Sequence, residues 1–75
     1  MMHPTFKDKK VGDRLYYCGL VWVITAIGRK WVWAECLQGK HCRRFSKETA
    51  IAEKLGISTP KQCYATREEM EAAKS

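Results

Sequence analysis

Histidine, paired cysteines and long apolar runs are what this chain has least of, and each shortage removes a class of function. No uninterrupted apolar stretch approaches the roughly 20 residues that a membrane-spanning helix needs. The chain opens Met1-Met2-His3-Pro4 and passes straight into charged residues, so no signal peptide is read there and a cytoplasmic location is expected. His3 and His41 are the two histidines, and neither has a carboxylate or nucleophile at a spacing that suggests a triad. No G-x-x-x-x-G-K-[ST] loop is present to cradle phosphates. The four cysteines, Cys18, Cys36, Cys42 and Cys63, include no Cys-x-x-Cys pair. Cys36 and Cys42 flank His41, the nearest approach to a metal knuckle, but reduced thiols packed as small hydrophobes are the expectation, without zinc and without disulfides. No catalytic residue, metal or cofactor is assigned, and enzyme activity is not expected.

The 75 residues make one domain of limited core. They show no heptad-like run that would support a helical bundle, no repeat and no low-complexity tract. A small closed sheet fits better, because closure protects strand edges.

What is present is concentrated in residues 20–36, which hold all three tryptophans and five of the eight valines and isoleucines. Two runs of high β-propensity flank Gly28-Arg29-Lys30, the pattern of a β-hairpin, with Gly28 free to take the positive φ of a tight turn. Side chains alternate along a strand, and both faces of the first run are apolar. A two-residue turn pairs Ala26 with Trp31 and Ile24 with Trp33, collecting Trp22, Ile24, Trp31 and Trp33 on one face. A three-residue turn places Thr25 opposite Trp33 instead. A slip of one residue exchanges the faces, and both registers stay open. The tryptophans are then either core plus a face covered by the chain's own tail, or an exposed aromatic contact surface.

Residues 1–10 form a basic N-terminal segment expected to fray. From residue 11 to 75 the chain reads as a single small β-barrel with a C-terminal helix. Residues 14–18 form a short strand with Leu15 and Tyr17 on one face, and Gly19 marks a tight turn. After the central hairpin, 37–41 is a second turn. Residues 42–45 return as a strand with Phe45 inward and Arg44 outward. Ser46 begins either a short turn followed by a strand over 50–53, the preferred reading, or a helix to residue 55 stopped by Gly56. Cys63 and Tyr64 re-enter the fold as apolar anchors. Thr66 and Glu69 make a capping box for a helix over about 66–74, with Met70 and Ala73 on its apolar side. A helix this short does not persist alone and must dock, with the hairpin's surplus apolar face as its expected seat.

The net charge is +6. Residues 1–47 carry ten Lys and Arg against three Asp and Glu, so the basic excess sits in the barrel. Such a field favours nucleic acid or an acidic protein. Lys10, Arg14, Arg29, Lys30, Lys40, Arg43 and Arg44 are the candidate phosphate or partner contacts, with Trp31 and Trp33 as stacking or hot-spot residues.

Val11-Gly12-Asp13-Arg14-Leu15-Tyr16 and Ile27-Gly28-Arg29-Lys30-Trp31 resemble small phage or prophage-encoded β-barrel proteins. The later Lys47-Glu48-Thr49, Ser58-Thr59-Pro60, Cys63-Tyr64 and Glu68-Glu69 follow in similar order. The resemblance spans about residues 11–70 through short motifs. It implies a Src-homology-3-like small barrel of about five strands, mainly β, with a C-terminal appendage, working in a bacterial cell or infected host; it transfers no residue roles. The Gly28-Arg29-Lys30 turn is also similar to KOW-type barrels, although the full KOW pattern is absent. Two functions are thus expected from the sequence: a nucleic-acid-binding module, or a protein-binding module that inhibits or modifies a bacterial host enzyme. The tryptophan face also suits a homodimer.

Overall fold

The β-branched and aromatic residues of 20–36 form the two central strands of a four-stranded antiparallel sheet in the computed structural model, which describes residues 2–54, 56–57 and 59–74. The strands are β1 (Arg14–Tyr17), β2 (Leu20–Ile27), β3 (Trp31–Cys36) and β4 (Cys42–Ser46), paired in sequence order, and α1 (Arg67–Lys74) ends the described chain. The fold is mainly β with one C-terminal helix. No described helix is long and apolar enough to cross a membrane.

The sheet closes on itself through single bridges. Phe45 of β4 bridges Ala52, Ile51 bridges Gln62, and Tyr64 bridges Tyr16 of β1. Tyr16 and Tyr64 exchange both backbone hydrogen bonds, at 2.9 and 2.8 Å. Ala52 N–H donates to Lys61 O and Cys63 N–H to Ala50 O, each at 2.9 Å. The turn preferred after Ser46 is present, but the strand expected over 50–53 is reduced to bridging residues. Ala50 explains the brevity: its φ of 61° is left-handed, which interrupts extended backbone. Leu55, the end of the alternative helix, lies outside the described residues.

Inside the circuit sit Leu15, Tyr17, Trp22, Ile24, Val32, Ala34, Cys36, Phe45, Ala50, Ala52 and Cys63. Tyr17, Trp22 and Phe45 meet edge to face, with Tyr17–Phe45 centroids 5.1 Å apart. The Trp22 indole N–H donates to Tyr17 O at 3.1 Å, so the ring is buried without an orphaned donor. Burial pushes the Cys63 thiol up to about 12, so it behaves as a small hydrophobe. The expected Leu15/Tyr17 face, inward Phe45 and tight turn at Gly19 are all present. Cys18 and Gly19 both have positive φ, 52° and 76°, the primed hairpin geometry that matches strand twist.

Three expectations are corrected, and the open choice of hairpin register is decided. Residues 2–10, the described part of the basic N-terminal segment, are tied down rather than frayed, because Phe6 is an apolar anchor: it is buried in the core cluster, and His3 N–H donates to Lys47 O at 2.7 Å. The two-residue hairpin register does not form. Ile24 faces Ala34, Val23 faces Glu35 and Trp22 faces Cys36, as the three-residue turn requires, but a bulge at Thr25 then shifts the tip so that Ala26 faces Trp33 and Ile27 faces Val32. Trp22 therefore points into the core while Trp31 and Trp33 point out. Gly28 does not supply a positive φ; its missing side chain makes room for the Trp33 ring, whose Cζ3 would lie 2.8 Å from an added Cβ. Finally, α1 seats against β1, not over the outward tryptophans. The reason is connectivity: Tyr64 is held on β1, the helix starts three residues later, and its eight residues reach only about 12 Å.

The helix is nonetheless fixed. Glu69 N–H donates to Thr66 Oγ1 at 3.2 Å, and Gly19 N–H donates to the buried Met70 sulfur at 3.3 Å. Met70→Ala is expected to cost about 2 kcal/mol, a large share of a small domain's stability, and to lower the melting temperature by about 8 °C or more. Because α1 leaves Trp31 and Trp33 uncovered, the native tryptophan emission maximum should not move; an emission shift with an unchanged melting point would contradict this packing.

Candidate functional site

The outward face of β3 and the tip of its hairpin gather the most chemistry. Trp31 and Trp33 are two residues apart and so share a face; Trp33 is 37% exposed. Arg44 stands opposite Trp33 on β4, and Ser46 stands opposite Trp31. The Arg44 guanidinium lies over the Trp31 ring, 4.2 Å from its centroid, within cation–π range.

Arg44 is also held from its other side by Glu53. Arg44 Nε donates to Glu53 Oε2 at 2.7 Å, and Nη2 donates to Oε1 to complete a forked ion pair. Glu53 N–H in turn donates to Arg44 O at 3.0 Å, so the chain after the Ala50 turn delivers the carboxylate to β4. The Arg44 hydrogen bond holds the Glu53 carboxyl below the usual carboxylate range, and Glu53 raises the guanidinium. The charge of Arg44 is thereby answered within the protein, and its guanidinium is set against the Trp31 ring.

Around the hairpin tip lies a groove of about 630 Å³, lined by Met2, Arg29, Lys30, Trp31, Ser46, Lys47 and Glu48. Lys47 is a member that sequence reasoning missed. It belongs here because its ammonium reaches across to Gly28 O at 3.1 Å and its amide donates to Lys30 O at 2.9 Å. A lysine just past a strand end carries no local mark of that reach. A smaller cavity of about 200 Å³ joins Trp33 to Arg44 and Glu53.

The candidate residues therefore separate. Arg29, Lys30 and Trp31 come together at the tip, with Trp33 and Arg44 beside them. Lys10 and Arg14 do not join them: Arg14 lies on β1 opposite Val23 of β2, Lys10 lies in the turn before it, and neither lines the groove at the tip. Lys40 lies in the β3–β4 loop beside Glu35 and Leu37. Arg43 is registered with the buried Ala34, so alternation turns it to the opposite face from Arg44. Among the described residues no group of three or more His, Cys, Asp or Glu is placed to hold a metal ion.

Comparison with known proteins matches the chain over residues 1–75 to the family described as phage ProQ C-terminal-like domain. No curated protein and no solved structure gives a significant match.

Two outcomes test this geometry. Gly28→Ala should displace the Trp33 ring and destabilise the fold by about 1 kcal/mol, and that cost should vanish in a Trp33→Ala background; equal cost in both backgrounds would place the strain in the backbone instead. The second concerns acid. A carboxyl whose folded pKa is depressed contributes stability that is fully present above its unfolded pKa and is lost as pH falls through the folded one. The Arg44–Glu53 contribution should therefore be intact at neutral pH, begin to fall as pH drops through about 4.3, and be gone below the depressed folded value. Urea unfolding of Glu53→Gln should show a shallower loss of stability across that acid range than the parent chain.

Proposed function

We propose that this chain, which belongs to the phage ProQ C-terminal-like domain family, is a non-catalytic nucleic-acid-binding module that engages its ligand at the hairpin tip. The observation that carries the reading is the convergence of Arg29, Lys30 and Lys47 around a groove walled by Trp31. Cations flanking an aromatic ring suit a phosphate backbone with its bases, since phosphates take the charge and a ring takes a base. The neighbouring Trp33 offers a second ring on the same face. Lys47 gives its ammonium to a neutral carbonyl and so keeps its charge for a phosphate, whereas Arg44 is committed to Glu53. The four-strand meander, closed through bridges and carrying a terminal helix, supports reading the domain as a Src-homology-3-like small barrel. Such barrels serve many functions, so the site and not the fold carries the proposal.

Titration with short DNA and RNA oligonucleotides at low salt should give binding tighter than about 100 μM, and affinity should fall linearly on a log–log plot against salt. Arg29→Ala, Lys30→Ala and Lys47→Ala should each reduce the salt slope by about 1, while Arg44→Ala should leave the slope unchanged. Trp33→Ala should cost about 1–3 kcal/mol with the slope intact. Variants of Lys10, Arg14 and Lys40 should bind like the parent. Absence of binding at low salt, or a uniform effect of every cation regardless of position, would refute the assignment.

A further inference from the structure

The opposite end of the sheet holds a second groove, of about 300 Å³, that the hairpin-tip site does not use. Its floor is made by Tyr17 and Trp22, and its sides by the β1–β2 turn, by His41 of the β3–β4 connection, by Arg43 of β4, and by residues 59–61. Leu20 and Ile27 terminate β2 at its two ends, seven residues apart, so the two grooves stand on the order of 20 Å from each other.

The chemistry of this groove differs from that of the tip. Tyr17 and Trp22 pack edge to face at 5.8 Å and are 8% and 3% exposed, so neither presents a free ring face to a base. The accessible apolar surface is instead aliphatic: Leu20, 36% exposed, faces the same opening as Pro60. Arg43, Lys54 and Lys61 surround it, and the carboxylate on the lining, Glu53, is bound to Arg44 on the outer face. A ligand here needs negative charge for the rim and an aliphatic group for the Leu20–Pro60 wall, with no planar base to stack. A polypeptide supplies that combination and a nucleic-acid strand does not.

We propose that this groove docks an extended, acidic segment of a partner protein, with an aliphatic side chain of the segment seated between Leu20 and Pro60 and its carboxylates meeting Arg43, Lys54 and Lys61. The separation of the two grooves leaves both sites open at once. The module then joins a nucleic acid at one end to an acidic protein segment at the other.

The probe is a short fluorescein-labelled peptide of aspartates and glutamates around a central leucine, followed by anisotropy at low salt with the full chain. Saturable binding is expected, with backbone amide shifts in NMR spectra confined to the Leu20, Arg43 and Lys61 end. Arg43→Glu combined with Lys61→Glu should weaken binding at least about tenfold. Trp31→Ala and Lys30→Ala should leave it within about twofold. Replacing the central leucine by aspartate should also weaken it, since charge alone does not fill the aliphatic wall. An oligonucleotide bound at the hairpin tip should not displace the peptide. No binding, displacement by the oligonucleotide, amide shifts centred on Trp31, or indifference to the leucine would each overturn the proposal. The amide-shift map reads the unmodified chain, so the result does not depend on a variant that folds.

Discussion

Tyr16 and Tyr64 hold this domain closed. A four-stranded meander has two edges, and an edge strand carries unpaired amides and carbonyls that attract other chains. Here β4 leans on Ala52, Ile51 on Gln62, and Tyr64 returns to Tyr16, so the hydrogen bonding of β1 is completed by a residue far along the chain. That return is also what places the helix. Once Tyr64 is fixed on β1, α1 has no reach to the outward face of β3, and Met70 settles by the β1–β2 turn. That the helix leaves Trp31 and Trp33 uncovered is thus a consequence of closure on the far side of the molecule.

The outward face is organised by one arginine with two partners. Glu53 fixes the Arg44 guanidinium through a fork, and the guanidinium fixes the plane of Trp31. Glu53 can do so because the left-handed Ala50 turns the chain back along β4. The pair is surface-exposed and contributes little to stability by itself. Its effect is orientation: the ring beside the hairpin-tip cations is held in one place, and in the proposed binding role that lowers the ordering cost.

Much of this was legible in the residues. β-branched and aromatic runs around Gly28, the alternation that buries Leu15, Tyr17 and Phe45, the Gly19 turn and the Thr66–Glu69 cap each rest on local rules, and each element stands where those rules put it. The failures share a different cause. The Thr25 bulge has no mark, since threonine is at home in a regular strand, and the bulge alone decides the tip register. Phe6 is a single apolar residue among lysines, and only the closed core shows what it fills. Alternation along β4 could have separated Arg43 from Arg44, but a charge count treats them alike. Lys47 and Glu53 join the site through contacts that cross turns, and no spacing in the chain announces either.

The closing bridge also bears on how the chain assembles. Each pairing within the meander joins strands that follow one another directly, so only short loops must close before contacts form. Tyr16 and Tyr64 have most of the chain between them, and the entropy of bringing them together is met only after the intervening strands have shortened the effective loop. Topology thus predicts the meander as the nucleus and the seam as the later step. An unfinished chain displays β1 as an open edge and leaves Cys63 outside the core. The time spent in that condition, rather than the stability of the finished domain, sets its exposure to mispairing with a neighbour.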